Sequence, residues 1–174
     1  MSQVPENRLP VELEPIPAWR KMPGDYPRSG CHADLSIEAA QLLPAVRLLF
    51  ERGYFLEDIA GVDVEEGIML VYHFDRYDAS RRVALRLMVP HAAKQAPSIA
   101  AIFSGADWHE RECFDFFGVA FENHPGLRPL LLPDDLGQHP LIKEKDRRSI
   151  YALLPLAQVV RGLPAQRLPR RSEH

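Results

Sequence analysis

His109 and Cys113 stand four residues apart, the spacing that lets two ligands share a metal ion from one helical face. His124 or His139 would have to complete such a zinc site, and neither belongs to a second paired motif. Seven histidines in 174 residues make chance pairs of this kind common, and a buried free thiol is the usual state of a lone cysteine. Glu110, Glu112 and Asp115 surround the same pair and have the type needed for acid–base work. Arg111 lies among them, so ion-paired structural carboxylates are the better reading. GxSxG, HExxH, Walker and GxGxxG patterns are absent from the chain. These residues define no self-contained catalytic constellation.

The element that must carry them is a helix. Ser104 and Asp107 supply an N-terminal capping signal, and Gly118 a stop. At about 100° per residue, Ala106, Cys113, Phe114, Phe116 and Phe117 share one arc, with Asp107, Arg111, Glu112 and Asp115 opposite. Two residues break the sorting: Glu110 falls in the apolar arc and Trp108 among the charges. A carboxylate aimed at a core and an outward tryptophan are both costly in an isolated domain. A second protein surface over this helix would relieve both, which predicts an interface helix. The plainer alternative is a solvated helix with ordinary Asp107–Arg111 and Arg111–Asp115 pairs, worth about 0.2–0.5 kcal/mol each.

Composition allows a sizeable core, with 46% hydrophobic residues. The net charge of −3 offers no electrostatic case for nucleic acid. No apolar run approaches the roughly 18–20 residues of a membrane span. The N-terminus lacks the order of a signal peptide, and Cys31 and Cys113 make neither a disulfide scaffold nor a CxxC motif. The expectation is a cytoplasmic, soluble chain. The cluster Lys143, Lys145, Arg147 and Arg148 alternates with Glu144 and Asp146, the pattern of a solvated turn. Arg161, Arg167, Arg170 and Arg171 bias the terminus toward acidic surfaces.

Proline placement divides the chain. Six of the sixteen prolines lie in residues 1–33, three in 34–121 and seven in 122–174. Regular structure is therefore expected in 34–121, between an extended N-terminal arm (1–33) and an extended C-terminal arm (122–174). Within the core, Ser36 caps a helix running to about Arg52, with Gly53 as its stop and Pro44 as a kink or the true start. Strands follow at Phe55–Val62, Gly67–Phe74 and Arg82–Val89, then a short helix near Ser98–Phe103. The fold class is α+β: a two-layer sandwich of a mainly antiparallel sheet with helices on one face. The C-terminal arm carries Leu127, Leu130, Leu131, Leu132, Leu136, Leu141 and Ile142, too apolar for water. Interrupted by Pro125, Pro129, Pro133 and Pro140, these leucines are expected to lie extended along a partner.

Glu110-Arg111-Glu112, then Asp115-Phe116-Phe117, then His124, Arg128 and Leu130-Leu131 resemble the signature of the C subunit of the proton-pumping NADH:quinone oxidoreductase, complex I. Val71-Tyr72-His73-Phe74, Pro97-Ser98-Ile99 and His139-Pro140-Leu141 are similar to further parts of that family, so the resemblance runs from about Asp34 to Lys145. Ile142-Lys143-Glu144 departs from the family's arginine-lysine-aspartate. The module also occurs in F420H2 dehydrogenases, photosynthetic counterparts and membrane-bound nickel-iron hydrogenases, so the resemblance leaves the electron donor open. It implies a cofactor-free assembly subunit of the hydrophilic arm, peripheral on the cytoplasmic side of the inner (plasma) membrane. Iron–sulfur clusters and quinone would belong to partner subunits, chief among them the hydrogenase-like large subunit. By the same resemblance Trp108, Glu110, Arg111, Glu112, Asp115, His124, Arg128, His139 and Lys143 become interface and structural ion-pair residues.

Overall fold

A computed structural model describes residues 9–143 of the chain. Strands β1 (Arg20–Pro23), β2 (Ala33–Ile37), β3 (Tyr54–Val64), β4 (Gly67–Arg76) and β5 (Val83–Val89) form one sheet in the order β1-β2-β5-β4-β3. All neighbours are antiparallel except β2 and β5, which run parallel. Strand alternation sets two faces. Ala33, Leu35, Ile37, Ile68, Leu70, Tyr72, Phe74, Val83, Leu85, Leu87 and Val89 are buried in the main core. Helices α2 (Ala39–Glu51) and α3 (Ala106–Phe117) close that core, through Leu42, Ala45, Val46 and Leu49 and through Ala106, Cys113 and Phe117. A two-strand parallel sheet of β6 (Gln95–Pro97) and β7 (Ala120–Glu122) brackets α3.

The α+β sandwich with helices against one sheet face matches expectation; several boundaries move. Ser36 caps nothing and sits in β2, while the Glu38 amide opens α2 by donating to Gln41 Oε1 at 2.9 Å. Pro44 lies inside α2 without ending it, where it removes one backbone donor. Gly53 takes φ +77 beyond the helix, the left-handed stop expected of it. Residues 98–103 form a turn closed by Ile102 and Phe103 amides on Ile99 carbonyl, not a helix.

The boundary drawn at residue 34 is corrected, because it cuts β2 and leaves β1 outside its own sheet. Leu13 and Ile16 are fully buried in the main core, so the described part of the N-terminal segment is integral to the domain. Its prolines misled because they occupy permissive places. Pro10 precedes a 3-10 turn at Val11–Leu13, Pro23 ends an edge strand, and Pro27 lies in the first turn of the short helix α1 (Tyr26–Ser29).

The second face of the sheet is polar through the same alternation. Arg86 pairs with Asp34 at 2.8 Å, Arg82 with Glu57 at 2.5 Å and His73 with Asp58 at 2.7 Å. Between β3 and β4 the register shifts at Leu56/Asp58, which leaves Glu57 as a bulge residue that reaches Arg82. Cys31, Val71 and Ala84 form a small buried cluster of their own, with Met69 against it.

Candidate interaction site on the charged helix

Helix α3 is held on the sheet by close approach at one point. A Cβ on Gly61 of β3 would lie 2.5 Å from Cε2 of the Phe117 ring, so the absence of a side chain there lets the helix seat. Cys113 Sγ faces the Ile59 carbonyl at 3.7 Å, and burial pushes its thiol up to about 12. The cysteine is therefore a core residue here, turned into the sheet. Gly105 occupies the N-cap and no side chain caps the helix; Ser104 contributes only its carbonyl, to the Asp107 amide. Gly118 ends the helix at φ +71, and a Cβ on it would meet the His139 imidazole at 2.6 Å.

Glu110 is wholly buried, as the helical wheel requires, but its partners lie within its own domain. Oε2 accepts the Ser98 hydroxyl at 2.6 Å and Oε1 the Ile99 amide at 2.7 Å. Burial raises its carboxyl to about 7 against the pull of those two bonds, with Asp107 adding to the rise. This corrects the expectation that a second protein must relieve Glu110. The turn that opens at Ser98 does so. His124, whose side chain is completely buried, closes the cluster from the other side. Its Nδ1 accepts the Gly126 amide at 3.0 Å, which leaves Nε2 to carry the proton. Nε2 lies 3.2 Å from the Asp107 carbonyl, 3.3 Å from Asp107 Oδ1 and 3.8 Å from Glu110 Oε2.

One turn further along α3, Arg111 and Asp115 grip the backbone that follows. Arg111 donates to the carbonyls of Arg128 and Pro129, at 3.1 and 2.9 Å. Asp115 Oδ2 accepts three successive amides, from Leu130 at 2.9 Å, Leu131 at 2.7 Å and Leu132 at 3.1 Å. Burial alone would raise that carboxyl, but the amides of Leu131, Leu130 and Leu132, with Arg111 nearby, hold it below the ordinary aspartate value. His139 Nδ1 donates to the Asp115 carbonyl at 2.8 Å, and the Leu141 amide to Phe116 carbonyl at 3.1 Å. At the far end Lys143 donates its amide to Asp63 Oδ2 at 2.7 Å and its ammonium to the Asp63 carbonyl at 3.2 Å.

The segment from Asn123 to Lys143 contains no helix or strand, as its prolines demand. It is, however, fastened to its own domain, with Leu127 and Ile142 against the main core. The arm, expected to lie extended along a partner, is bonded to its own domain as far as Lys143, by side-chain-to-backbone bonds from α3. Residues beyond 143, including Lys145, Arg147, Arg148 and the terminal arginines, lie outside the described residues, as do residues 1–8.

Two of the predicted site residues on α3 remain turned outward. Trp108 is 65% exposed, and Glu112 is also exposed. On the fastened segment Leu131, Leu136 and Leu141 are 63%, 42% and 49% exposed, and Arg128 is exposed beside them in sequence. The segment's backbone is thus bonded to the domain and Leu127 and Ile142 turn in, while Leu131, Leu136 and Leu141 face out. Residue-by-residue reading missed Ser98 and Asp63 as partners. Asp63 carried a signal, since it follows Ile59 and Gly61 at a spacing of two on the inward face of β3.

The α+β domain thus turns Glu110, Arg111 and Asp115 to its own backbone, and leaves Trp108, Leu131, Leu136 and Leu141 outward beside Glu112 and Arg128. Its family can be stated: the chain belongs to the respiratory-chain NADH dehydrogenase 30 Kd subunit family, which matches residues 35–150. It is 38% identical over 96 residues to the NADH-quinone oxidoreductase C subunit of Roseiflexus castenholzii, covering 53% of this chain and 55% of that one. It is 37% identical over 89 residues to the F(420)H(2) dehydrogenase C subunit of Methanosarcina mazei, covering 49% and 56%. The chain spans about half the length of these curated relatives. Its fold is also that of a chain in the membrane-bound sulfane sulfur reductase, an archaeal respiratory membrane complex. That match has TM-score 0.59 and 21% identity over 80% of this chain and 85% of that one.

Proposed function

We propose that this chain is a structural subunit in the hydrophilic arm of a complex I-like, membrane-associated quinone oxidoreductase. It docks on the hydrogenase-like large subunit near the quinone site and brings no cofactor of its own. Iron–sulfur clusters and quinone belong to the neighbouring subunits, and attachment to the cytoplasmic side of the inner (plasma) membrane is peripheral, through the complex. Family membership and the names of the relatives support this reading. Among the described residues no helix is long and apolar enough to cross a membrane.

The observation that carries it is the fastened segment. Arg111 and Asp115 fix its backbone, so Leu131, Leu136 and Leu141 are presented without the full ordering cost that a free arm would meet on binding. Trp108, exposed on the same helix that holds the segment, is the residue type most often dominant in such contacts. The test is binding of the purified large subunit by the Trp108→Ala and Leu136→Glu variants. Both substitutions are at exposed positions and should leave the unfolding transition within about 0.5 kcal/mol of the parent. Each should weaken binding about tenfold or more. Unchanged affinity in both would refute this docking surface.

A second reading is the equivalent subunit of an F420H2 dehydrogenase or a membrane-bound nickel-iron hydrogenase. The Methanosarcina mazei relative favours the F420H2 dehydrogenase form of it, at 37% identity against 38% for the Roseiflexus castenholzii one. Nickel-ligating cysteines in the co-purifying large subunit would select the hydrogenase, and their absence quinone chemistry.

A further inference from the structure

Charge is unevenly spread along this chain. Residues 106–142 hold seven carboxylates and two arginines, a net −5 with histidines neutral, whereas the whole chain carries −3. The remainder is therefore net positive. Three of the seven carboxylates serve the domain itself. Glu110 and Asp115 are buried against Ser98, Ile99 and the Leu130–Leu132 amides, and Asp107 faces His124. Glu112, Glu122, Asp134 and Asp135 are exposed, and among the described residues none of these four forms an ion pair. Of the two arginines, Arg111 is turned to the carbonyls of Arg128 and Pro129, and Arg128 is exposed.

The exposed carboxylates stand beside the exposed apolar side chains. Trp108, Arg111, Glu112 and Asp115 share one stripe of α3, by the three- and four-residue spacing of a helix. Arg111 and Asp115 grip the segment, so Trp108 and Glu112 flank that grip on the outside. Further on, the Leu136 amide donates to the Pro133 carbonyl at 3.1 Å. This closes a turn with Asp134 and Asp135 at its two central positions, next to the exposed Leu136. A nucleic acid or an anionic membrane would be repelled by such a surface. A protein face that sets arginine and lysine around apolar sockets is complementary to it.

We propose, resting on the docking reading above, that the partner face receiving Trp108, Leu131, Leu136 and Leu141 is rimmed by cations, and that Glu112, Asp134 and Asp135 steer and orient its approach. The rim carboxylates stay in water, so their effect falls on the rate of encounter, and salt weakens it. The apolar side chains are desolvated only on contact, so their effect falls on the rate of release. The two groups of residues therefore leave separate kinetic marks.

The test is stopped-flow association of the 174-residue chain with the purified large subunit, from about 30 to about 300 mM salt. The association rate should fall about tenfold over that range. The double variant Asp134→Asn with Asp135→Asn should associate about threefold more slowly at low salt, with a shallower salt dependence and nearly unchanged release. Asp134→Lys with Asp135→Lys should be slower still. Trp108→Ala should act on release instead. An association rate that ignores salt or rises with it would overturn the cationic rim while leaving the docking surface standing. Faster association in the asparagine variants would assign the acidic face to the chain's own Arg161, Arg167, Arg170 and Arg171, and would overturn it equally. So would self-association of the chain at low salt that the same variants abolish, since the occupant would then be a second copy. Absence of binding at every salt concentration would refute the docking reading itself, and the rim with it.

Discussion

Replacing Asp115 with alanine should detach the segment that carries the exposed leucines while leaving the domain folded. Its single Oδ2 receives the amides of Leu130, Leu131 and Leu132 at 2.7–3.1 Å. At about 1.5 kcal/mol for each bond to a charged acceptor, three contribute on the order of 4 kcal/mol. Taking the carboxylate out of water subtracts from that, and a surface segment can rehydrate its amides once freed. The expected net loss is about 2–3 kcal/mol in urea unfolding. Asp115→Asn keeps an acceptor without charge, and since charge-assisted bonds are about twice as strong, it should lose roughly half as much. The folded carboxyl is held below its ordinary value, so its contribution is complete above the ordinary aspartate value and is lost as pH falls through the depressed one. The parent should therefore show an acid limb that Asp115→Ala lacks. Hydrogen exchange supplies the local readout, with Leu130–Leu132 protected in the parent and fast in the variant. If Asp115→Ala unfolds like the parent, keeps its acid limb and leaves those amides protected, the clamp does not hold the segment.

Two further outcomes follow from α3. Gly61→Ala drives a methyl group against the Phe117 ring and should lower stability by about 1–3 kcal/mol as overpacking, measurable by thermal unfolding; a neutral result would mean the helix can shift freely over β3. Glu110, raised by burial to about 7 from 4.5, binds its proton more tightly folded than unfolded. Stability should therefore fall as pH rises from about 4.5 to about 7, by roughly 3 kcal/mol at most, and Glu110→Gln should flatten that slope. A slope of the same size in Glu110→Gln would assign it to another group.

What the sequence made legible were the elements with an unbroken period. Val83, Leu85, Leu87 and Val89 alternate cleanly, and they line the core. The charged helix ends at Gly118 as its left-handed stop requires. Strands β1 and β6, with Pro23 and Pro97 in four- and three-residue runs, are too short for a period to register. The carboxylates show the deeper limit. Glu110 looks misplaced when its wheel position is set against apolar neighbours alone. Its partners are the Ser98 hydroxyl and a main-chain amide. Asp115 likewise holds three amides, and an amide belongs to almost every residue type. A bond from a side chain to distant backbone leaves a mark at only one of its two ends, so the clamp could not be inferred from the leucines it restrains.

The bulge at Glu57 has a consequence for how this chain tolerates changes in length. Leu56 pairs with Phe74 and Asp58 with His73, so Glu57 is the surplus residue between two correctly faced stretches of β3. Deleting Glu57 would straighten the strand and leave Ile59, Gly61 and Asp63 on their present side, at the cost of Arg82's carboxylate partner. Deleting a residue between Ile59 and Val64 would instead exchange the two sides for everything on one flank of the cut. With Val62 removed, for example, either Gly61 would turn away from Phe117 or Asp63 from Lys143. The strand thus has one joint at which a residue can be removed without reversing it, and that joint lies on the face turned away from the helices.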